Sequence, residues 1–304
     1  MITRSRTSSE VANAVAALPS AGLAEVTEQA ALQVRIDRKC MVPVERFAEL
    51  IVRLPQGYAV LEVDGLRGFA YESVYFDTPD LLTYRQHLQG RRRRYKVRTR
   101  AYLDTADCVF EVKLNGPRDR TVKAQLPYSL ADRTHVTPPA RAFLVDRLEK
   151  AYGQLAPRLA ARVTTLYRRT TLVDLDRGTR LTCDVDLTYI GNGRRAVGPS
   201  QYVLVESKGV APHRDADATL RRLGTAPESD EQVLRRGRVA LPRTSAPIPG
   251  IGRSATTSPI PAQSMRTRVF PRSILRGDAT HSKEERWQGR PISQQRNGRR
   301  CRRA

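Results

Sequence analysis

In the stretch YKVRTRAY, Lys96, Arg98 and Arg100 alternate with Tyr95, Val97, Thr99 and Ala101. Successive side chains of a strand point to opposite faces, so this spacing gathers three cations on one face and the less polar residues on the other. The sorting recurs along the chain. In VFEVKL, Glu111 and Lys113 oppose Phe110, Val112 and Leu114, and earlier Arg35, Asp37 and Lys39 oppose Val34, Ile36 and Cys40. Glu206 and Lys208 oppose Val203 and Val205, while Arg180, Asp184 and Asp186 oppose Leu181, Cys183, Val185 and Leu187. A period of two over so many segments commits the chain to two-faced strands.

Eight runs carry strand character: 34–41, 71–76, 94–103, 107–114, 120–126, 163–174, 180–189 and 201–208. Asp104 to Asp107, Asn115 to Pro117, Asp176 to Gly178 and Gly191 to Gly193 are tight-turn sequences, which predict antiparallel hairpin partners on either side. Helices are expected in the longer gaps: VERFAELIVRL behind Pro43 as a favoured first helical residue, LLTYRQHL, PARAFLVDRLEKAYGQL, and a short one from Asp215 to Leu223. The fold class is therefore α+β, an eight-stranded antiparallel sheet with flanking helices. Closed on itself, such a sheet forms a barrel whose interior admits side chains or a narrow ligand.

Charge divides the chain further. Of the net charge of +22, the stretch from Arg243 onward holds 14 basic and 3 acidic residues, hence +11 in 62 residues. That stretch is rich in Pro, Ser and Arg and too poor in apolar residues to offset its ordering entropy. The expected organisation is a flexible leader over 1–29, a structured domain over 30–242 and a basic disordered tail over 243–304, the tail attracting polyanions without specificity. No apolar run approaches the roughly 18 residues of a membrane span. Cys40, Cys108, Cys183 and Cys301 lie far apart with no CxxC, which argues against zinc and disulfide scaffolds and for the cytoplasm.

The solvated face of an ordinary sheet tolerates Ser, Thr, Gln and mixed charge. Here the polar positions are mostly Arg and Lys: Arg35, Lys39, Lys96, Arg98, Arg100, Lys113, Lys123, Arg169, Arg180 and Lys208, against Asp37, Glu111, Asp184, Asp186 and Glu206. Enclosed together, these cations repel one another unless a polyanion and carboxylate-held metal ions share the space. The pattern predicts a β-tunnel that takes phosphates.

The strings YFDTPDLLTYRQHL, GRRRRYKVRTRAY, FEVKLNGPRDRTVK, LYRRTTLV, RLTCDVDL and VLVESKG, in that order, resemble the VTC domain, the polyphosphate polymerase domain of the vacuolar transporter chaperone family. The resemblance runs from about Arg35 to Gly209 and implies membership of the triphosphate tunnel metalloenzymes, the CYTH-like superfamily. It also implies a closed β-tunnel, a Mn²⁺ or Mg²⁺ cofactor, ATP and polyphosphate as partners, and transfer of the γ-phosphate of ATP to the growing polyphosphate. By the same resemblance Lys39 matches the first-strand lysine, Arg98 and Arg100 the R-x-R clamp, Lys113 the lysine of E-x-K and Arg169 the arginine of Y-x-R. Glu206 matches the metal-binding glutamate, with Glu111 as a second metal candidate, and these are the expected catalytic and metal residues. Arg35, Lys96, Lys123, Arg180 and Lys208 are expected to bind phosphate through charge and forked hydrogen bonds. Two positions depart from the family pattern. Asp37 replaces a glutamate, and Pro227 to Glu231 stands where a Ser-Lys-Tyr segment is common.

Two other functions compete. A tunnel triphosphatase would transfer the phosphoryl group to water, but its relatives carry an ExExK first strand where this chain has Asp37-Arg-Lys39. A catalytically weak polyanion-binding module is the other. Specific nucleic-acid recognition is not expected, because base stacking needs aromatics interleaved among the cations and only Tyr95 and Tyr102 lie near the arginine run. No GxxxxGK[ST] loop is present.

Overall fold

The hairpin sequences do what their chemistry demands. The protein is described by a computed structural model covering residues 5–30, 36–116, 121–209 and 215–228. In chain order its elements are α1 (Arg6–Ala14), β1 (Ser20–Ala21), α2 (Leu23–Ala30), β2 (Ile36–Pro43), α3 (Val44–Arg53), β3 (Tyr58–Leu61), β4 (Phe69–Asp77), α4 (Leu82–Leu88), β5 (Tyr95–Tyr102), β6 (Asp107–Asn115), β7 (Thr121–Pro127), α5 (Pro138–Tyr152), β8 (Ala160–Asp174), β9 (Thr179–Gly191), β10 (Arg194–Val197), β11 (Tyr202–Gly209) and α6 (Asp215–Arg222). Turns at Asp104 to Asp107 and Asp176 to Gly178 join β5 to β6 and β8 to β9 as antiparallel pairs. At the β9–β10 turn, Asn192 and Gly193 both take positive φ, 51° and 70°, as a two-residue hairpin turn requires. The Asn115–Pro117 turn runs into residues outside those described, as do Arg35 and the tail.

All eight expected strands form, with β1, β3 and β10 in addition, and they make one sheet in the order β2-β11-β9-β8-β4-β5-β6-β7. Every pairing along that path is antiparallel. The expected closed barrel is not realised as a hydrogen-bonded ring. Among the described residues β2 and β7, the two ends of the path, share no ladder. One reason lies on β2, where the Lys39 carbonyl accepts from Glu228 N beyond α6.

Two apolar layers cover one face of this sheet. Val11 and Val15 of the first helical segment, Phe47, Leu50 and Ile51 of α3 and Leu220 of α6 pack on Cys40, Val42, Leu181, Cys183, Val203 and Val205. Ala140, Leu144 and Leu148 recur every four residues along α5 and pack on Val74, Phe76, Val97, Phe110 and Val112. All three described cysteines lie on this covered face, buried and unbridged. No helix among the described residues is long and apolar enough to cross a membrane.

Three expectations need correction. Residues 5–29 of the expected flexible leader carry α1, β1 and all but the last residue of α2, with Val11 and Val15 buried in the main core. Val11, Ala14, Val15 and Leu18 share a helical face, a 3.6-residue signal hidden in an Ala-rich run. Pro43 is the last residue of β2 and the N-cap of α3, with ψ at 138°, rather than the first helical residue. Asp186 leaves the polar face. The β8–β9 register shifts between Leu166 and Arg168, and Asp186 there takes φ 58°. This bulge turns the Asp186 carboxylate outward to accept from the hydroxyls of Ser5, the N-cap of α1, and Ser8. Leu187 and Tyr189 consequently fall on the opposite face, in a third apolar cluster with Met41, Tyr71, Tyr167 and Leu204.

Candidate functional site

On β5 the parity expected from sequence holds: Tyr95, Val97, Thr99 and Ala101 are buried, while Lys96, Arg98 and Arg100 lie on the uncovered face. Cross-strand pairing then builds rows across four strands. Tyr75 stands beside Arg98, Arg98 beside Glu111 and Glu111 beside Gln125. Arg98 Nε donates to Glu111 Oε2 at 2.5 Å and its Nη1 to the Tyr75 hydroxyl at 3.1 Å. Gln125 Nε2 donates to Glu111 Oε1 at 2.7 Å, and Arg100 and Lys123 approach the same carboxylate at 4.0 and 3.8 Å. Burial would raise the Glu111 pKa, but Arg98, Arg100 and Lys123 outweigh it and hold the carboxyl down at about 2.

The adjacent row is Lys96 beside Lys113 and Lys113 beside Lys123. Three lysines in direct cross-strand register repel one another, an arrangement a sheet adopts at a cost.

The other half of the path contributes a second charged group. Lys39 pairs with Glu206, Glu206 with Thr182, Asp37 with Lys208 and Lys208 with Arg180. Lys208 Nζ is ion-paired with Glu206 Oε2 two residues before it on the same face. Burial pushes the Lys208 ammonium down to about 8. Although burial opposes it, the charges of Lys208, Lys39 and Arg169 hold the Glu206 carboxyl well below the usual range. Arg169 grips Asp184 with two parallel bonds, Nε to Oδ1 at 2.6 Å and Nη2 to Oδ2 at 2.7 Å. Its guanidinium also lies over Tyr71 and Tyr167, 5.4 and 5.1 Å from the ring centroids.

These two charged groups come from opposite ends of the strand order, yet they act on one another. Desolvation lowers the pKa of Lys113 on β6, and the charges next in weight are Asp37 on β2 and Glu206 on β11, which raise it. A sheet curled so that its uncovered face forms an interior is compatible with that coupling. Among the described residues nine of the expected cations share that face with Asp37, Glu111, Asp184 and Glu206. Ser73 Oγ, Arg100 Nε and Thr182 Oγ1 are buried there without hydrogen-bond partners. Such atoms are what an oxygen-rich ligand would satisfy.

The carboxylates differ in what they can hold. Among the described residues no three His, Cys, Asp or Glu side chains are grouped to bind a metal. Glu111, expected as a metal ligand, is only 2% exposed and has both oxygens taken by Arg98 and Gln125, so it does not fit that role. Glu206 fits a hard divalent ion that draws its other ligands from phosphate, since Mg²⁺ sites commonly use one or two carboxylates with substrate phosphates.

Sequence parity read from charges alone overlooks Ser73 and Tyr75, which occupy alternate positions of FAYESVYFD and pair with Arg100 and Arg98. It also leaves unexplained the aspartate of YFDTPDLLTY. Buried Asp77 accepts from the backbone of Thr78, Thr83 and Tyr84 at 2.8, 2.9 and 3.0 Å and from Thr83 Oγ1 at 2.8 Å. It serves as the cap of α4, whose own N-cap position, Leu81, is left-handed at φ 57° and makes no side-chain cap bond. The thiols of Cys40, Cys108 and Cys183 are all raised, chiefly by burial, Cys40 to about 11, which suits core thiols and not nucleophiles.

A family model described as the VTC domain matches residues 34–240. No curated protein matches the sequence. Among solved structures, a candidate adenylyl cyclase from Hippeastrum with a dominant triphosphatase activity is 16% identical with a TM-score of 0.39, over 70% of this chain and 99% of that one. A protein from Pyrococcus horikoshii OT3 is 14% identical with a TM-score of 0.35, over 66% of this chain and 99% of that one.

Proposed function

The chain belongs to the VTC domain family, and on that premise we propose that it is a polyphosphate polymerase acting inside a basic β-tunnel of the triphosphate tunnel metalloenzyme type. A terminal oxygen of the acceptor polyphosphate attacks the γ-phosphorus of ATP, the bond from that phosphorus to the β,γ-bridging oxygen breaks, and ADP leaves. Arg98 and Arg100 offer forked donors to phosphate oxygens, and Lys39, Lys96, Lys113, Lys123, Arg180 and Lys208 neutralise a chain whose negative charge repels itself. Arg169 is braced by Asp184 and lies over the rings of Tyr71 and Tyr167. A Mn²⁺ or Mg²⁺ ion held by Glu206 would supply charge neutralisation at the β and γ oxygens. We place the activity in the cytoplasm, in keeping with three buried, unbridged thiols.

The observation that carries this reading is the cross-strand row of Lys96, Lys113 and Lys123 on the sheet face that also bears Asp37 and Glu206. The alternative is a tunnel triphosphatase, which must take a proton from water. Glu111, Asp184 and Glu206 are each ion-paired, with Arg98, Arg169 and Lys208. The Glu111 and Glu206 carboxyls, held below the usual range, are weak bases, whereas attack by an already anionic phosphate oxygen needs no base. This favours transfer to phosphate.

Purified protein with ATP and Mn²⁺ or Mg²⁺ is expected to give ADP and a polyphosphate ladder on a gel. Orthophosphate without a ladder would replace the polymerase by the triphosphatase. Tight polyphosphate binding without ATP consumption would leave a binding module.

A further inference from the structure

The β5–β6 pair is charged in opposite senses at its two ends. The turn that joins the strands carries Asp104 and Asp107, both exposed. At the far end Arg91, Arg92, Arg93 and Arg94 lead into β5, and no acidic residue occurs from Arg91 to Leu103. This arginine loop is braced by its surroundings. Arg91 N donates to the Gln86 carbonyl of α4 at 2.9 Å, Asn115 Nδ2 to the Arg92 carbonyl at 3.0 Å, and Asn115 N and the Tyr152 hydroxyl to the Arg94 carbonyl at 3.1 and 2.8 Å. Arg91 Nε and Arg94 Nη1 are spent nearby, on Gln89 Oε1 and the Arg91 carbonyl. Arg92 and Arg93 are exposed and make no side-chain hydrogen bond or ion pair among the described residues. Guanidinium groups on a fixed backbone lose less freedom on binding than those of a loose loop.

We infer that Arg92 and Arg93 form an outer binding site for the part of a long polyphosphate chain that lies beyond the inner face. This deepens the phosphate reading above and rests on it. Asn115, which holds the Arg92 carbonyl, follows Lys113 by two residues, about 7 Å along β6. The row Lys96, Lys113 and Lys123 therefore leads toward the arginines. In the opposite direction the same strands lead to Asp104 and Asp107, which repel a polyanion. Arginine forks match phosphate oxygens. Nucleic acid fits less well, because Tyr95, the aromatic residue next to the loop in sequence, is 2% exposed and offers a base no ring to stack on.

Chain length separates the outer site from the inner one. Tripolyphosphate is satisfied by the inner face, whereas a long linear polyphosphate reaches both. Calorimetry with full-length wild type and with the double variant Arg92→Ala, Arg93→Ala reads the difference. Exposed charge pairs are individually weak, so long-chain affinity should fall roughly 2- to 30-fold in the double variant, with tripolyphosphate affinity unchanged. The basic tail is present in both proteins and drops out of the comparison. Arg92→Lys with Arg93→Lys should recover most of the loss. Arg147→Ala with Lys150→Ala removes two charges from the exposed side of α5 and should leave long-chain affinity near that of wild type.

Long-chain affinity that survives the arginine substitutions would overturn the outer site, as would an equal loss from the α5 pair, which would reduce the effect to net charge. With tripolyphosphate binding still lost in Arg98→Ala, either result leaves the phosphate reading standing. Absence of any Arg98-dependent binding of tripolyphosphate would remove that reading and this inference with it. A single-stranded oligonucleotide bound as tightly as polyphosphate, with the same dependence on Arg92 and Arg93, would overturn the assignment to polyphosphate.

Discussion

Glu111 Oε2 on β6 accepts a hydrogen bond from Arg98 Nε on β5 at 2.5 Å, directly across the ladder that joins them. The pair shows how the site tolerates its own charge. A carboxylate only 2% exposed survives because guanidinium and ammonium groups surround it, and they in turn are spaced by it.

Acid is the first test of that arrangement. Glu111 titrates at about 2 in the fold against an ordinary 4.5, so its stabilisation is fully present above pH 4.5 and is lost as pH falls through about 2. The contribution is on the order of 3 kcal/mol at neutral pH. Urea midpoints from pH 7 to pH 2 should fall for the wild type, and Glu111→Gln should be less stable at pH 7 and lose less between pH 5 and pH 2. An unchanged pH slope in Glu111→Gln would contradict the assignment.

Binding and transfer should separate. Arg98→Ala removes a charged, forked contact worth about 1.5 to 3 kcal/mol, so tripolyphosphate affinity should fall roughly 10- to 150-fold. Glu206→Gln keeps shape and loses charge; transfer from ATP should collapse while metal-free tripolyphosphate binding changes far less. Full metal-dependent activity in Glu206→Gln would remove it as the metal ligand.

Lys113→Met takes the middle cation out of its row. Relief of like-charge repulsion should raise the stability of the ligand-free protein by about 0.2 to 1 kcal/mol. Tripolyphosphate affinity should drop at the same time and its dependence on salt should become shallower. Calorimetry at two ionic strengths beside a thermal melt checks both signs, and a variant that is destabilised would argue against repulsion in the row.

Asp186→Ala should loosen the start of the chain. Losing the acceptor of Ser5 and Ser8 removes the tie between α1 and the β9 bulge, at a cost of about 1 to 3 kcal/mol. Amide exchange in residues 8–15 should speed up while β5 and β6 keep their protection. Equal loss of protection everywhere would mean that α1 is not a separate docking unit.

Strand count, hairpin partners and the cationic parity of β5 were legible because period-two alternation leaves its record in local sequence. What escaped depends on contacts distant in the chain. Nothing local announces the bulge at Asp186, since the residue that claims its carboxylate is Ser5, 181 positions away. Glu111 reads as a metal candidate from its E-x-K string, and only the cross-strand neighbours Arg98 and Gln125 reveal that its oxygens are spent. The family model covers residues 34–240, whereas Val11, Val15 and Val26, which complete two of the apolar clusters, lie ahead of it.

Asp77 touches none of the groups proposed to meet phosphate, yet it fixes where β4 ends and α4 begins. The next two rows of that strand carry Tyr75 and Ser73, opposite Arg98 and Arg100. A strand end tied by four bonds to one carboxylate has little freedom left to surrender when a ligand arrives. On the proposed function, part of the affinity for phosphate would be preorganisation, the entropy of aligning β4 against β5 having been lost already at folding.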